Sequence, residues 1–274
     1  MILDIHGKAA YCYTGGRAFD AALPTVVFIH GAQNDHSVWG LQSRWFAHHG
    51  HGVLAVDLPG HGRSAGPALG SVEEMADWLL ALLDAAGVAR ALLVGHSMGS
   101  LIALEAAHRQ PARASALAML GTTYPMKVSD ALLATARDDE PAAIDMVNIW
   151  SHSSIAHKPS SPAPGFSVLG GARRLMQRMS ALNPEGLFHT DFAACNSYAN
   201  GEAAARALAC PVLFIFGRKD MMTPARSTRL LTGAVARGTI VQVDAGHSLM
   251  SEQPDAVLDA LAAFATTRPQ ETTA

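Results

Sequence analysis

The sequence predicts an α/β protein in which a mostly parallel sheet is covered by helices, and three observations carry that prediction. Strand-like and helix-like runs alternate along the 274 residues. The strand-like runs are short, continuous and apolar, which is how strands buried on both faces read. One of them, residues 91–94, leads straight into Gly95-His96-Ser97-Met98-Gly99 and out again into a helix-like run. The composition supplies the core such a sheet needs, with 49% apolar and only 16% charged residues.

The elements follow in order. The opening residues, around 2–5 and 9–13, read as an antiparallel hairpin at one edge. Residues 26–29 form the first buried run and end at His30-Gly31, and residues 53–56 form the second and end at Asp57-Leu58-Pro59-Gly60. A helix is predicted over 72–86, where Val72, Met75, Ala76, Leu79, Leu80, Leu82 and Leu83 are consistent with one buried face. Ser71 and Glu74 have capping-box spacing at its start, and Gly87 fits its end. A helix over 98–109 is stopped by Pro111. Further buried strands are predicted at 116–120, 212–216 and 239–243, and a last helix at 254–266. Between residues 122 and 209 the rhythm breaks. Helix-like patches at 129–136, 142–150 and 172–179 surround a proline-rich loop at 158–165, with no convincing strand. An insertion of this size between core strands is expected to be a lid or cap. The predicted organisation is a core of residues 1–121 and 210–267, a helical cap of 122–209 and a flexible tail over 268–274.

Charge and targeting signals narrow the function. A formal net charge of −3 and the lack of a basic run argue against nucleic acid as a partner. No apolar stretch is long enough to span a membrane and the first residues do not read as a signal peptide, so a cytoplasmic protein acting on a small molecule is expected. Cys12, Cys195 and Cys210 are odd in number and widely spaced, which implies neither a disulfide framework nor a zinc site. His48, His49, His51 and His61 crowd one region without a helical i, i+4 pair or a cysteine partner. They are expected to be exposed loop histidines, and no metal is predicted.

The chemistry concentrates in three places. Gly95-His96-Ser97-Met98-Gly99 fits G-x-S-x-G, and the strand before it and helix after it are the context a nucleophile elbow requires. A serine hydroxyl needs a base within hydrogen-bond reach. His247, in a glycine-flanked loop after the last strand, is the candidate, and Asp220, just past the preceding strand, is the candidate acid that orients it. Asp57 is read as holding a tight glycine-rich turn, and His30 and His96 as structural or pocket-lining. The oxyanion formed on acyl attack needs two backbone donors, assigned to the amides of Met98 and Ala32, with Gln33 able to add a side-chain contact.

Together His30-Gly31, the Asp57-Leu58-Pro59-Gly60-His61-Gly62-Arg63-Ser64 loop, Gly-His-Ser-Met-Gly, Gly217-Arg218-Lys219-Asp220 and Gly246-His247 resemble the α/β-hydrolase fold across nearly the whole chain. That resemblance implies an eight-stranded, mostly parallel sheet flanked by helices, a cap between the sixth and seventh strands, and no cofactor. Some members place the acid after the strand that follows the nucleophile helix, but Gly121-Thr122-Thr123-Tyr124 offers no carboxylate there. Ser97 in place of an aspartate argues against the epoxide hydrolase and haloalkane dehalogenase branches. The expected activity is hydrolysis of a small to medium hydrophobic carboxylic ester, lactone or thioester through an acyl-serine. Carbon–carbon bond hydrolysis of a vinylogous diketone and a non-catalytic binding role are the alternatives. Tyr124, Trp150, Phe188, Met221 and Met222 are expected to line the substrate pocket.

Overall fold

The computed structural model describes residues 1–154 and 167–266; the loop predicted at 158–165 and the tail from 268 lie outside the described residues. Eight strands, β1 (Ile2–Ile5), β2 (Lys8–Tyr13), β3 (Thr25–Ile29), β4 (Gly52–Val56), β5 (Ala91–His96), β6 (Ala114–Leu120), β7 (Val212–Gly217) and β8 (Gly238–Val243), form one sheet in the order β1-β2-β4-β3-β5-β6-β7-β8. The opening hairpin is antiparallel, β2 meets β4 antiparallel, and every pairing from β4 to β8 is parallel.

Helices cover both faces: α1 (Gly40–His48), α2 (Val72–Ala85) and α3 (Met98–Arg109) in the first half, and α9 (Arg229–Ala234), α10 (Leu249–Glu252) and α11 (Pro254–Thr266) in the second, with α4 to α8 between them. On one face Val72, Leu79, Leu83, Leu101 and Leu104 pack with Leu93 and Leu117, and on the other Trp39, Phe46, Val257 and Leu261 pack with Phe28 and Leu213. The expectation that all the parallel strands are buried on both faces fails at β8. It is the edge of the sheet, with one strand neighbour, and Ile240 is 54% exposed.

The described part of the interruption between β6 and β7 contains helices and no strand: α4 (Asp130–Asp138), α5 (Glu140–Trp150), α6 (Val168–Leu182), α7 (Leu187–Ser197) and α8 (Gly201–Arg206). Its own apolar cluster joins Leu132, Ile144, Val147, Met176, Phe188 and Phe192. Helices α1 and α7 are absent from the sequence reading for a physical reason. The buried face of α7 includes Asp191 among Phe188, Phe192 and Cys195, and that of α1 includes Gln42 and Ser43. A polar residue on the inward face breaks the 3.6-residue apolar rhythm on which a helix is recognised. The insertion returns to the core through Glu105 of α3, whose Oε2 accepts from the Tyr198 hydroxyl at 2.8 Å and Asn200 Nδ2 at 2.9 Å.

Candidate active site

Three groups meet at the carboxyl edge of the sheet. Ser97 stands between β5 and α3 with φ 52° and ψ −120°, a left-handed conformation that costs a non-glycine residue on the order of 1–3 kcal/mol. Close backbone approach holds it there. A Cβ on Gly95 would lie 2.1 Å from the Gly99 carbonyl oxygen, and one on Gly99 would lie 2.4 Å from that of Ile29. The turn is tied further by the Ser97 amide donating to the Leu120 carbonyl at 2.9 Å and by Ser100 Oγ donating to the Ser97 carbonyl at 2.6 Å.

His247 Nδ1 lies 2.8 Å from Asp220 Oδ2. An ionised carboxylate only accepts, so Nδ1 carries a proton, and it is the Nε2 lone pair of the neutral ring that faces away from Asp220. Asp220 is held in turn by the amides of Met222 and Thr223, each 2.8 Å from Oδ1, and by Thr223 Oγ1, 2.7 Å from Oδ2. Burial opposes its charge, but His247 and the Thr223 bonds outweigh burial and hold the carboxyl well below the usual carboxylate range. His96 fixes the histidine loop, with Nε2 donating to the His247 carbonyl at 2.9 Å. Burial and the neighbouring His247 push His96 down to about 3, so it is neutral at any ordinary pH. His30 is neutral as well, donating from Nδ1 to the Gly31 carbonyl and accepting the Leu58 amide at Nε2.

Gly31 brings the loop after β3 against the serine, where a Cβ would lie 3.1 Å from Ser97 Cβ. The amides of Ala32 and Met98 donate to no group among the described residues. Gln33, by contrast, has both its backbone and its side-chain N–H groups engaged elsewhere. Its amide donates to Asp191 Oδ2 of α7 at 2.8 Å, and its Nε2 lies within 3.2 Å of Glu140 Oε1, the Met176 carbonyl and Ser180 Oγ. The side-chain contact to substrate expected of Gln33 is therefore replaced by contacts to the helical insertion.

A cavity of about 230 Å³ lies between the sheet edge and the insertion, lined by Ser97, His247, Gly31 and Ala32 on one side and by Val147, Trp150, Met176 and Phe192 on the other. Of the expected pocket residues, Trp150, Met221 and Met222 line it. Tyr124 and Phe188 do not. The Tyr124 ring packs on Gly201 with its hydroxyl donating to the Ala199 carbonyl, and Phe188 is fully buried, stacked on Phe192 inside the insertion. An apolar side chain reads the same in the sequence whether it lines a cavity or fills a core, so the sequence carries no signal to separate them.

Asp57 holds the glycine-rich turn: Oδ1 accepts from the amide and Nδ1 of His36, and Oδ2 from the Arg63 amide. His61 differs from its expected place in solvent. It is buried, with Nε2 2.9 Å from Asp191 Oδ2 and Nδ1 3.1 Å from the Pro59 carbonyl. Among the described residues, Asp35, His36 and Asp57 bring three candidate metal-ligand atoms within 4.8 Å of one another. All three side chains are already engaged, Asp35 with Ser37 and Arg178. No helix among the described residues is long and apolar enough to cross a membrane.

The chain matches a curated family and individual relatives. RutD of Klebsiella pneumoniae subsp. pneumoniae, a protein assigned as a carbamate hydrolase, is 29% identical over 240 residues, 82% of this chain and 85% of its own length. The (E)-2-((N-methylformamido)methylene)succinate hydrolase of Acinetobacter baylyi is 25% identical over 255 residues, 89% of this chain and 91% of its own. Among solved structures, the enol-lactonase from Burkholderia xenovorans LB400 superposes with a TM-score of 0.79 at 22% identity, over 97% of this chain and all of that one, a likeness of fold. The family model described as the alpha/beta hydrolase family matches residues 26–260, and with the eight-stranded sheet and the geometry above, the chain is a hydrolase belonging to that family.

Proposed function

We propose that the protein hydrolyses a small carboxylic ester, lactone or thioester through an acyl-serine intermediate. The observation that carries this reading is the 2.8 Å bond from His247 Nδ1 to Asp220, with His247 and Ser97 lining one cavity. Ser97 Oγ attacks the carbonyl carbon while His247 Nε2 takes its proton. The carbonyl oxygen becomes an oxyanion received by the Ala32 and Met98 amides, near the amino end of α3. Collapse breaks the bond to the leaving oxygen or sulfur, which takes the proton from His247. Water then attacks the acyl carbon, giving its proton to His247, and Ser97 leaves reprotonated. Asp220 stays ionised throughout and stabilises the imidazolium. No step calls for a cofactor.

A 230 Å³ cavity walled by Met126, Leu132, Val147, Trp150 and Phe192 suits a compact, largely apolar acyl group. In this reading residues 122–209 act as a cap. The three cysteines, free and buried, agree with the cytoplasmic location we propose. A carbamate is the second reading, favoured by the likeness to RutD, because attack at its carbonyl uses the same groups.

The test is turnover of p-nitrophenyl acetate, butyrate and octanoate by wild type and Ser97→Ala. We expect activity in wild type alone, with a loss on the order of 10⁵-fold or more in the variant. An unchanged rate in Ser97→Ala would remove the mechanism. A folded wild type inert on every ester would turn the reading to carbamates, to carbon–carbon hydrolysis or to binding without turnover.

A further inference from the structure

The loop after β3 is held from outside the core. Gln33 adopts φ 58°, and its amide donates to Asp191 Oδ2, which lies 158 residues further along on α7. The same oxygen accepts from His61 Nε2, while His61 Nδ1 faces the Pro59 carbonyl. Both acceptors demand a proton, so His61 is an imidazolium and the pair is a buried ion pair across the contact between insertion and core. Burial works to discharge His61, but Asp191 outweighs it and keeps the imidazolium protonated above the usual histidine range. Ala32, whose amide is one of the two proposed oxyanion donors, sits between Gly31 packed on Ser97 and Gln33 fixed to Asp191.

We propose that Asp191 is a positioning residue of the oxyanion hole, which holds the Gln33 amide in its left-handed turn and thereby aims the Ala32 amide at the developing oxyanion. Asp191 touches no reacting atom, and its effect passes through the backbone of the loop. His61 Nε2 donates to the same carboxylate oxygen, and the Gln33 side chain, gripped by Glu140 and Ser180, sets the same loop from a second direction. The substrate cavity and the oxyanion donor are in this way built by one insertion. Only a chain whose α7 is docked has the loop in register for catalysis.

This inference rests on the acyl-serine reading, and the test separates the two. Active sites are counted with a fluorophosphonate, and kcat per site is measured on p-nitrophenyl butyrate for wild type, Asp191→Ala, Asp191→Asn and His61→Gln. Affinity is measured for propyl trifluoromethyl ketone, whose adduct with Ser97 places an oxyanion in the hole, and for propyl methyl ketone, which forms no stable adduct. Asp191→Ala should lose about 10- to 100-fold in kcat per site, below the roughly 10²–10³-fold cost of deleting a donor outright. Its affinity for the trifluoromethyl ketone should fall in parallel, with KM and methyl ketone affinity within about twofold. Asp191→Asn retains an oxygen for the Gln33 amide and should recover most of the loss. His61→Gln breaks the ion pair yet leaves Asp191 on the loop, so its kcat per site should stay within about threefold of wild type. Should Asp191→Ala fail to fold, the double variant His61→Leu/Asp191→Leu removes both buried charges and carries the same expectation. A wild type that hydrolyses esters beside an Asp191 variant equal to it per site would overturn the inference. So would equal weakening of both ketones. Failure of the underlying reading looks different: a wild type with no ester turnover.

Discussion

The sheet edge and the helical insertion build the site by different physics. At the edge, Ser97, Asp220 and His247 are set by local backbone geometry, where glycines allow strand ends to approach within distances no Cβ tolerates. Asp220 and Ser97 each have a partner near in sequence, Thr223 and Ser100, and the His247 loop is held within the same edge by His96. The insertion meets the core through long-range polar contacts instead. Asp191 reaches Gln33 and His61, Arg178 reaches Asp35, and the Ser151 carbonyl accepts the Ser248 amide beside His247. On the proposed mechanism, the bond-making groups belong to the sheet edge, and the groups that aim and enclose them belong to the part attached by long-range tertiary contact.

The largest effect that tests this division is Asp220→Asn. It should cost on the order of 10⁴-fold in kcat by leaving the wrong tautomer of His247, with the unfolding midpoint little changed. Asp57→Asn is the control from the same edge. It should lower stability through the turn it holds while leaving kcat per active site near wild type. If Asp57→Asn proved the more damaging to kcat with its fold retained, the acid would have been assigned to the wrong carboxylate. On the insertion side, Glu252 ties the histidine loop to residue 153: the Gly246 and Ser153 amides each donate to it at 2.9 Å. Glu252→Gln turns one acceptor into a donor facing an amide. It should cost about 2–3 kcal/mol of stability, read by urea unfolding, and a smaller loss in kcat than Asp220→Asn. A Glu252→Gln protein as stable as wild type would mean that the insertion is not fastened there.

What could be read from the sequence divides along the same line. The runs ending at His30, Asp57, Gly95 and Gly217 are visible because buried parallel strands are continuous apolar segments. Ser97 and Asp220 are visible because each follows such a run closely, and His247 because it lies in a glycine-flanked loop after the last strand. Asp191 carries no comparable mark. Its neighbours Phe188, Phe192 and Cys195 are core residues of α7, and nothing within ten positions shows that its carboxylate meets Gln33 and His61. His61 appears in a motif, yet its burial and charge depend on a residue 130 positions away. Tyr124 and Phe188 were misplaced in the pocket for the same reason, since apolar spacing tells that a side chain is covered and not by what.

The smallest effect follows from the histidines and has opposite signs in the two regions. His30 and His96, at the sheet edge, are pushed down to about 4 and about 3, first by burial and then by a neighbouring histidine. An unfolded histidine titrates near 6.5. Between about pH 6.5 and 4 the unfolded chain therefore binds protons that these two refuse, and stability falls as pH falls, by up to about 1.4 kcal/mol per pH unit for each. Depressed carboxyls such as Asp220 act lower, where unfolded aspartates begin to protonate near 3.9. His61 is raised, so the stability it contributes is fully present below about 6.5 and is lost as pH rises through its folded value. Urea unfolding of wild type, His96→Gln and Asp191→Asn across this range separates the two. His96→Gln should remove about half of the slope on the acid side and leave the alkaline side alone, and Asp191→Asn should flatten the decline on the alkaline side. If His96→Gln moved both limbs together, the edge and the insertion would be titrating as a single unit, and the division of labour between them would fail.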